Sequence, residues 1–198
     1  MKKIFAIAAL AVASVFGTAN AGNGYIGGSI GFMHESGNVS LFNESVHATT
    51  NSFTILPELG YNFNNQWAIG TTIGYEYKHF NGHKTDIHMF EFNPYARFTF
   101  FRTSNNLVQL FVDGGAGIGV GSIDYDVKGS DAETGIIWNV GFRPGVSLNF
   151  TDSFSMVAHL GFLGYEGANR RAYNAGYNRK GGIMLDGNNV TLGFYYNF

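Results

Sequence analysis

Three histidines, His79, His83 and His88, crowd into ten residues, and imidazole is a common metal ligand. Their spacing matches no zinc motif, and the chain contains no cysteine to complete one. Separate loop histidines and no bound cofactor are therefore expected. Asp124, Asp126 and Gly129 resemble the start of a calcium loop, but Lys128 stands where an acid or amide is needed and Gly135 replaces the closing glutamate. That pattern reads as a solvated acidic loop. Arg170, Arg171, Arg179 and Lys180 gather late in the chain, and guanidinium forks suit phosphate oxygens. The plainer reading of these four is a solubilising loop, since isolated surface charges contribute little.

A second set of charges is defined by register. Glu58, Glu76, Lys78, Glu91, Arg97, Asp113, Arg143 and His159 each fall on the polar side of an alternating segment. Eight such segments can be read at period two: 24–34, 52–63, 67–79, 87–101, 107–120, 135–150, 154–165 and 191–198. The fourth sets Phe90, Phe92, Pro94, Ala96 and Phe98 against Glu91, Asn93, Tyr95 and Arg97. The seventh sets Phe154, Met156, Ala158, Leu160 and Phe162 against Ser155, Val157, His159, Gly161 and Leu163. Short turns are predicted at 64–66, 102–106 and 151–153, and longer loops at 35–51, 80–86, 121–134 and 166–187.

An even number of strands, joined in sequence order with short turns at one end and long loops at the other, predicts an all-β fold. It is an eight-stranded antiparallel up-and-down transmembrane β-barrel. A soluble barrel would show the same alternation with its faces exchanged. Composition separates the two, because only 13% of residues are charged and 16% are aromatic, against about 25% charge in soluble domains. The polar face is built mainly of Gly, Ser, Thr and Asn, which fits a narrow interior. The charges on that face are expected to pair inside the barrel, since an unpaired one costs several kcal/mol.

Aromatic residues near the strand ends predict two interfacial girdles. One comprises Tyr61, Phe63, Trp67, Phe100, Phe150, Phe154, Tyr196 and Phe198, the other Tyr75, Tyr77, Phe90, Trp138 and Phe162. The descending strands share a repeat, Tyr61-Asn62-Phe63, Phe98-Thr99-Phe100, Leu148-Asn149-Phe150 and Tyr196-Asn197-Phe198. Pro57, Pro94 and Pro144, with Leu192, stand six residues before the ends of these repeats. Proline removes a ladder donor, so local bulges are predicted at all three.

Residues 1–21 read as a secretory signal, with Lys2 and Lys3, an apolar run from Ile4 to Phe16, and Ala19-Asn20-Ala21 at the cleavage site. Residues 22–198 then form the barrel. Without Lys2 and Lys3 the 12 basic residues fall to ten against 14 acidic ones, a net charge of −4, which argues against nucleic acid as a partner. Absence of cysteine in an exported chain leaves burial and ladder bonding as its sources of stability.

The strand layout, the terminal Gly193, Tyr196 and Phe198, and the hairpin from Pro57-Glu58-Leu59-Gly60-Tyr61 through Trp67 to Gly70 resemble the small outer-membrane barrels of OmpA and OmpX type, often described as porin-like. The resemblance implies location in the outer membrane of a Gram-negative-type bacterium. It also implies lipid and lipopolysaccharide as surroundings and a C-terminal signal for the barrel-assembly machinery in Gly193, Tyr196 and Phe198. Arg170, Arg171, Arg179 and Lys180 would be placed near lipopolysaccharide phosphates. No periplasmic peptidoglycan-binding domain is read in the chain, and a monomer is expected. The expected role is structural, in envelope integrity or surface contacts through the loops, and not enzymatic. A narrow passive channel is the alternative. A lipid A-modifying enzyme ranks third, because His88 has outward parity but no serine and acid emerge at its height.

Overall fold

The computed structural model describes residues 23–41, 44–81, 85–125, 132–175, 177, 180–184 and 190–198. The segment read as a signal lies outside them, as do His83, Asp126, Lys128, Gly129, Arg179 and the side chain of Lys180. The elements are β1 Gly24–Leu41, β2 Glu44–Asn62, β3 Trp67–Phe80, β4 Thr85–Arg102, β5 Val108–Tyr125, β6 Glu133–Asn149, β7 Phe154–Leu160 and β8 Phe162–Ala168. A single-turn helix α1, Arg170–Asn174, and strands β9 Lys180–Met184 and β10 Val190–Asn197 complete the chain. Each long strand pairs antiparallel with the next. Strands β7 and β8 both pair with β6, β8 with β9, and β7 with β10, which returns to β1. The four short strands thus make two staves, and eight staves close the barrel.

The strands run further than their alternation predicts. The predicted loop at 35–51 is a continuation of β1 and β2, paired up to Leu41 and Glu44. The predicted loop at 121–134 is bordered by β5 to Tyr125 and β6 from Glu133, and 166–187 contains the end of β8, α1 and β9. The polar sequence of 35–51 carries no clear apolar alternation, although ladder bonding continues there.

Cross-strand rows on the outer face show where the surroundings change. Ile30, Ile55, Tyr75, Phe90, Val120 and Ile136 lie in one row, and Phe32, Phe53, Tyr77, His88, Ser122 and Thr134 in the next. His34, Asn51, His79, Asp86 and Asp124 follow. This passage from aliphatic through aromatic to polar is the order of hydrocarbon, interface and water. At the short-turn end Trp67 packs on Phe98 at 4.8 Å between ring centroids. From Trp67 to Tyr77 is eleven residues, matching the ~9–11 that a tilted strand needs to cross hydrocarbon.

Of the three predicted bulges, one is present, opposite Pro144. Pro57 pairs with Gly28 on the preceding strand, but the ladder to β3 resumes only at Ile55–Tyr75 and Glu58–Thr72. Pro94 pairs with Thr71, while the ladder to β5 skips from Phe92–Ile118 to Tyr95–Gly115. At both sites the count is equal on the two strands, so the ladder is interrupted without a bulge. Pro144 pairs with Val112, and on its other side one extra residue is present between His159, opposite Gly145, and Leu163, opposite Phe142. All three face their missing N–H toward the following strand.

That extra residue corrects the seventh predicted segment. Gly161 adopts φ +80°, a region that suits glycine, and inverts the alternation beyond it. Phe162, predicted to face lipid in the outer girdle, is 7% exposed, whereas Leu163 and Tyr165 face outward. A one-residue insertion turns every later side chain to the opposite face.

Candidate functional site

Seen from the short-turn end, the interior begins with a vestibule of about 420 Å³, lined by Asn62, Gln66, Asn106, Asn149 and Asn197 and reaching Arg97 and Phe111. A dense floor closes it. Arg97 Nε donates to Asp113 Oδ1 at 2.7 Å and its Nη2 to Oδ2 at 2.8 Å, with a third bond from Nη2 to Glu58 Oε1 at 3.2 Å. Asp113 Oδ2 also meets His159 Nε2 at 2.8 Å. Tyr195 donates to Glu58 Oε2 at 2.7 Å, Tyr95 donates to Oε1, and the Tyr25 and Tyr95 hydroxyls are 2.6 Å apart. The Arg97 guanidinium lies 4.0 Å from the ring centroid of Phe111, which is 1% exposed. Charges so enclosed need such complete bonding, because desolvation penalises each of them.

Register brings this group together. Arg97 and Asp113 are direct cross-strand partners on β4 and β5. Glycines supply the space, since a Cβ on Gly60 would overlap the ring of Tyr25, on Gly70 that of Tyr95, on Gly145 that of Phe111 and on Gly27 that of Tyr195. Each large ring therefore lies across a glycine of the neighbouring strand. Tyr25, Tyr95, Phe111 and Tyr195 are absent from the sequence-derived site, although all four have inward parity. An aromatic residue on a glycine-rich polar face is the signal that would have found them.

Not all the predicted interior charges meet. Glu76 and Lys78 pair at 2.9 Å in a separate group nearer the long loops, where Tyr177 donates to Glu76 at 2.7 Å and Lys78 Nζ lies 4.5 Å from its ring centroid. Burial, with the Glu76 carboxylate beside it, holds the Tyr177 hydroxyl far above the ordinary phenol range. Asn93 donates to Glu91 at 3.3 Å and accepts from Asn139 at 2.9 Å. Arg143 is directly opposite Asp113, whose oxygens are already engaged, and its guanidinium stands 5.8 Å from the Phe162 ring centroid. Among the described residues Arg143 has no ion pair and no hydrogen bond.

Between floor and long loops lies a polar chamber of about 270 Å³, lined by Thr54, Glu58, Glu91, Arg143, His159 and Glu166 among others. Its roof is apolar. Ile87, Met89 and Ile123 are each 0% exposed, with Phe80, Tyr125, Ile137, Ala175 and Tyr177 packed against them. Helix α1 brings the roof into place. Asn169 caps it by accepting from the Ala172 amide at 2.8 Å, and Ala172 is buried. The sequence reading missed this roof, because its inward residues continue the polar face of lower layers.

The remaining candidates are dispersed. His79 Nδ1 is 2.8 Å from Asp86 and its Nε2 is 2.7 Å from the side-chain oxygen of Asn81. His88 contacts the Tyr75 hydroxyl at 2.9 Å. Among the described residues no three metal-ligating side chains converge. Asp124 accepts from Ser122 at 3.0 Å. Arg170 and Arg171 are exposed on α1, and the Lys180 backbone pairs with Glu166. Gly193 approaches Gly28 across the closing seam. The rings of Tyr196 and Phe198 stack at 6.4 Å, and the Phe198 amide donates to Gly24 at 3.0 Å.

The family model described as outer membrane protein beta-barrel domain matches residues 4–198. Among solved structures, Neisserial surface protein A is 15% identical with a TM-score of 0.49, covering 91% of this chain and 100% of that one. The outer membrane protein Ail of Yersinia pestis, in a phospholipid bilayer nanodisc, is 19% identical with a TM-score of 0.42, covering 89% and 99% respectively. No curated protein matches the chain.

Proposed function

The chain belongs to the outer membrane protein β-barrel domain family, and from that premise we propose a non-enzymatic role in which the barrel supports the envelope and displays its long-loop end for surface contacts. The observation that carries this reading is the blocked axis. The Glu58–Arg97–Asp113–His159 floor and the Ile87–Met89–Ile123 roof occupy the path that a solute would follow. Eight strands leave room for side chains and little else, which disfavours a passive channel.

In this reading, residues 1–21 direct export and are removed, the barrel-assembly machinery reads Gly193, Tyr196 and Phe198, and the monomer inserts with its long loops outward. Exposed Arg170 and Arg171, with Arg179 and Lys180, would face lipopolysaccharide phosphates. Replacing all four with glutamine is expected to weaken lipopolysaccharide binding, and unchanged binding removes that contact. The central test is planar-bilayer conductance of pure protein. No reproducible open-channel steps are expected, and regular steps would overturn the structural role in favour of a channel.

A further inference from the structure

The short-turn end carries a pattern that strand chemistry does not explain. Asn62, Thr99, Asn149 and Asn197 are the middle residues of the four descending-strand repeats, and all of them line the vestibule, one on every second stave. Asparagine is depleted in strands, yet it stands at three of these four places. The backbone there is firmly held. Each residue donates its amide to a carbonyl at the foot of the preceding stave, Asn62 to Asn23, Thr99 to Gln66 and Asn149 to Leu107 at 2.8 Å, and Asn197 to Ser153 at 2.9 Å. Two of the side chains add to this clamp, since Asn62 Nδ2 donates to the Asn23 carbonyl at 3.2 Å and Asn149 Nδ2 to that of Asn106 at 2.8 Å. Other amides are left over. Among the described residues the side chains of Gln66, Asn106 and Asn197 make no hydrogen bond within the protein.

The rest of the lining narrows the kind of ligand. Tyr25, Ala68, Phe111, Val157 and Tyr195 form one buried cluster, and Trp67 and Phe150 belong to the outward girdle, so no apolar pocket is open to the side chains of a peptide. Charge is also accounted for. Arg97 is paired with Asp113 and Glu58, and Arg102, which donates to the Asn65 carbonyl at 2.7 Å, shares the vestibule with Asp152. No surplus charge selects an ionic ligand. What remains accessible is neutral and planar, side-chain amides that present donor and acceptor side by side. Vicinal hydroxyls and acetamido groups return the same pattern.

A volume of about 420 Å³ lies at the lower end of the ~300–1,000 Å³ range of small-molecule sites, and the floor at Arg97 and Phe111 stops entry beyond it. A chain can enter only by its end. We propose that the vestibule binds the terminal units of a neutral, N-acetylated oligosaccharide, its hydroxyl and acetamido groups on Gln66, Asn106, Asn149 and Asn197. This goes beyond the role above, because it gives the end of the barrel opposite the long loops an attachment of its own. Neither conductance nor lipopolysaccharide binding tests it.

The experiment uses the full barrel in micelles of a sugar-free detergent, with side-chain amide resonances followed by NMR. The probes are a β-1,4-linked N-acetylglucosamine tetramer, maltotetraose, which has hydroxyls without acetamido groups, and trialanine, which has amides without vicinal hydroxyls. The acetylated tetramer is expected to bind in the millimolar range or tighter, with shifts confined to the mouth. Maltotetraose binds more weakly, and trialanine does not bind. Gln66→Ala/Asn106→Gly removes two of the amides and lowers affinity about tenfold, the effect of losing two neutral hydrogen bonds. Asn106 already lies at φ 58°, which glycine accepts, so the turn is retained, and heat-modifiable migration verifies that the variant is folded. Absence of shifts at the mouth, equal binding of maltotetraose or trialanine, or unchanged affinity in the folded double variant would each overturn the proposal and leave the envelope role standing.

Discussion

Arg97 touches both carboxylates of the floor, so its removal leaves Glu58 and Asp113 buried without the guanidinium they share. Arg97→Ala is expected to lower the unfolding free energy in lipid vesicles by about 3–5 kcal/mol. Adding Glu58→Gln and Asp113→Asn should recover much of that loss, and urea titration of the folded fraction measures both. A second residue-scale effect belongs to His79 and Asp86, beyond the spanning band. The hydrogen bond to Asp86 raises the His79 pKa, and the same bond, with that from Tyr77, lowers Asp86. A raised imidazole contributes fully below its unfolded pKa, and the contribution is lost as pH rises through the folded value. A lowered carboxylate contributes above its unfolded pKa and loses that contribution as pH falls through its folded value. The pair is therefore intact in the window between the carboxylate and imidazole transitions. Asp86→Asn should lower the His79 pKa, read by NMR titration of its ring.

Single positions decide how whole strands face. Gly161 reverses the inside and outside of β8, placing Phe162 beside Arg143 and leaving Tyr165 in the lipid row. Gly161→Ala forces a side chain into the left-handed region and is expected to cost about 1–2 kcal/mol, seen as a lower urea midpoint. Proline placement gives a paired test on β4. Ala96 is paired on both sides, with Ile69 and Gly114, so Ala96→Pro should cost about 3 kcal/mol or prevent folding. Pro94 faces a ladder gap toward β5, so Pro94→Ala should change stability by no more than about 1 kcal/mol. Equal effects from the two substitutions would show that the gap does not accommodate proline.

Across the whole molecule, closure depends on the end of the chain. The Phe198 amide bonds Gly24, and its ring lies against that glycine, next to the paired Tyr25 and Asn197 of the β1–β10 ladder. Deleting Phe198 removes both interactions and is expected to reduce the heat-modifiable, membrane-inserted fraction while total synthesis is unchanged. Normal insertion would separate closure from this residue. Among the described residues the interior is layered as open vestibule, charged floor, polar chamber and apolar roof, with cavities of about 420 Å³ in the first and 270 Å³ in the third.

Eight staves, their order and most inward and outward assignments follow from period-two alternation, because a strand between unlike environments must write them on alternate residues. Glu58, Arg97, Asp113 and His159 were legible as interior charges on that basis. Their partners were not, since a contact such as Tyr195 with Glu58 joins positions 137 residues apart and depends on barrel stagger. The inward Tyr25, Tyr95 and Phe111 lie over glycines of adjacent strands, and which glycine each ring covers is set by the pairing register. The extended strands at 35–51 escaped the pattern because ladder bonding in water requires no apolar alternation. Sequence by itself determined that this chain presents apolar residues outward and fills its interior with small and charged ones. Tertiary structure decided the register at Gly161 and the separation of the charges into a floor, a chamber and the Glu76–Lys78 group nearer the long loops, because each depends on which residues of distant strands meet.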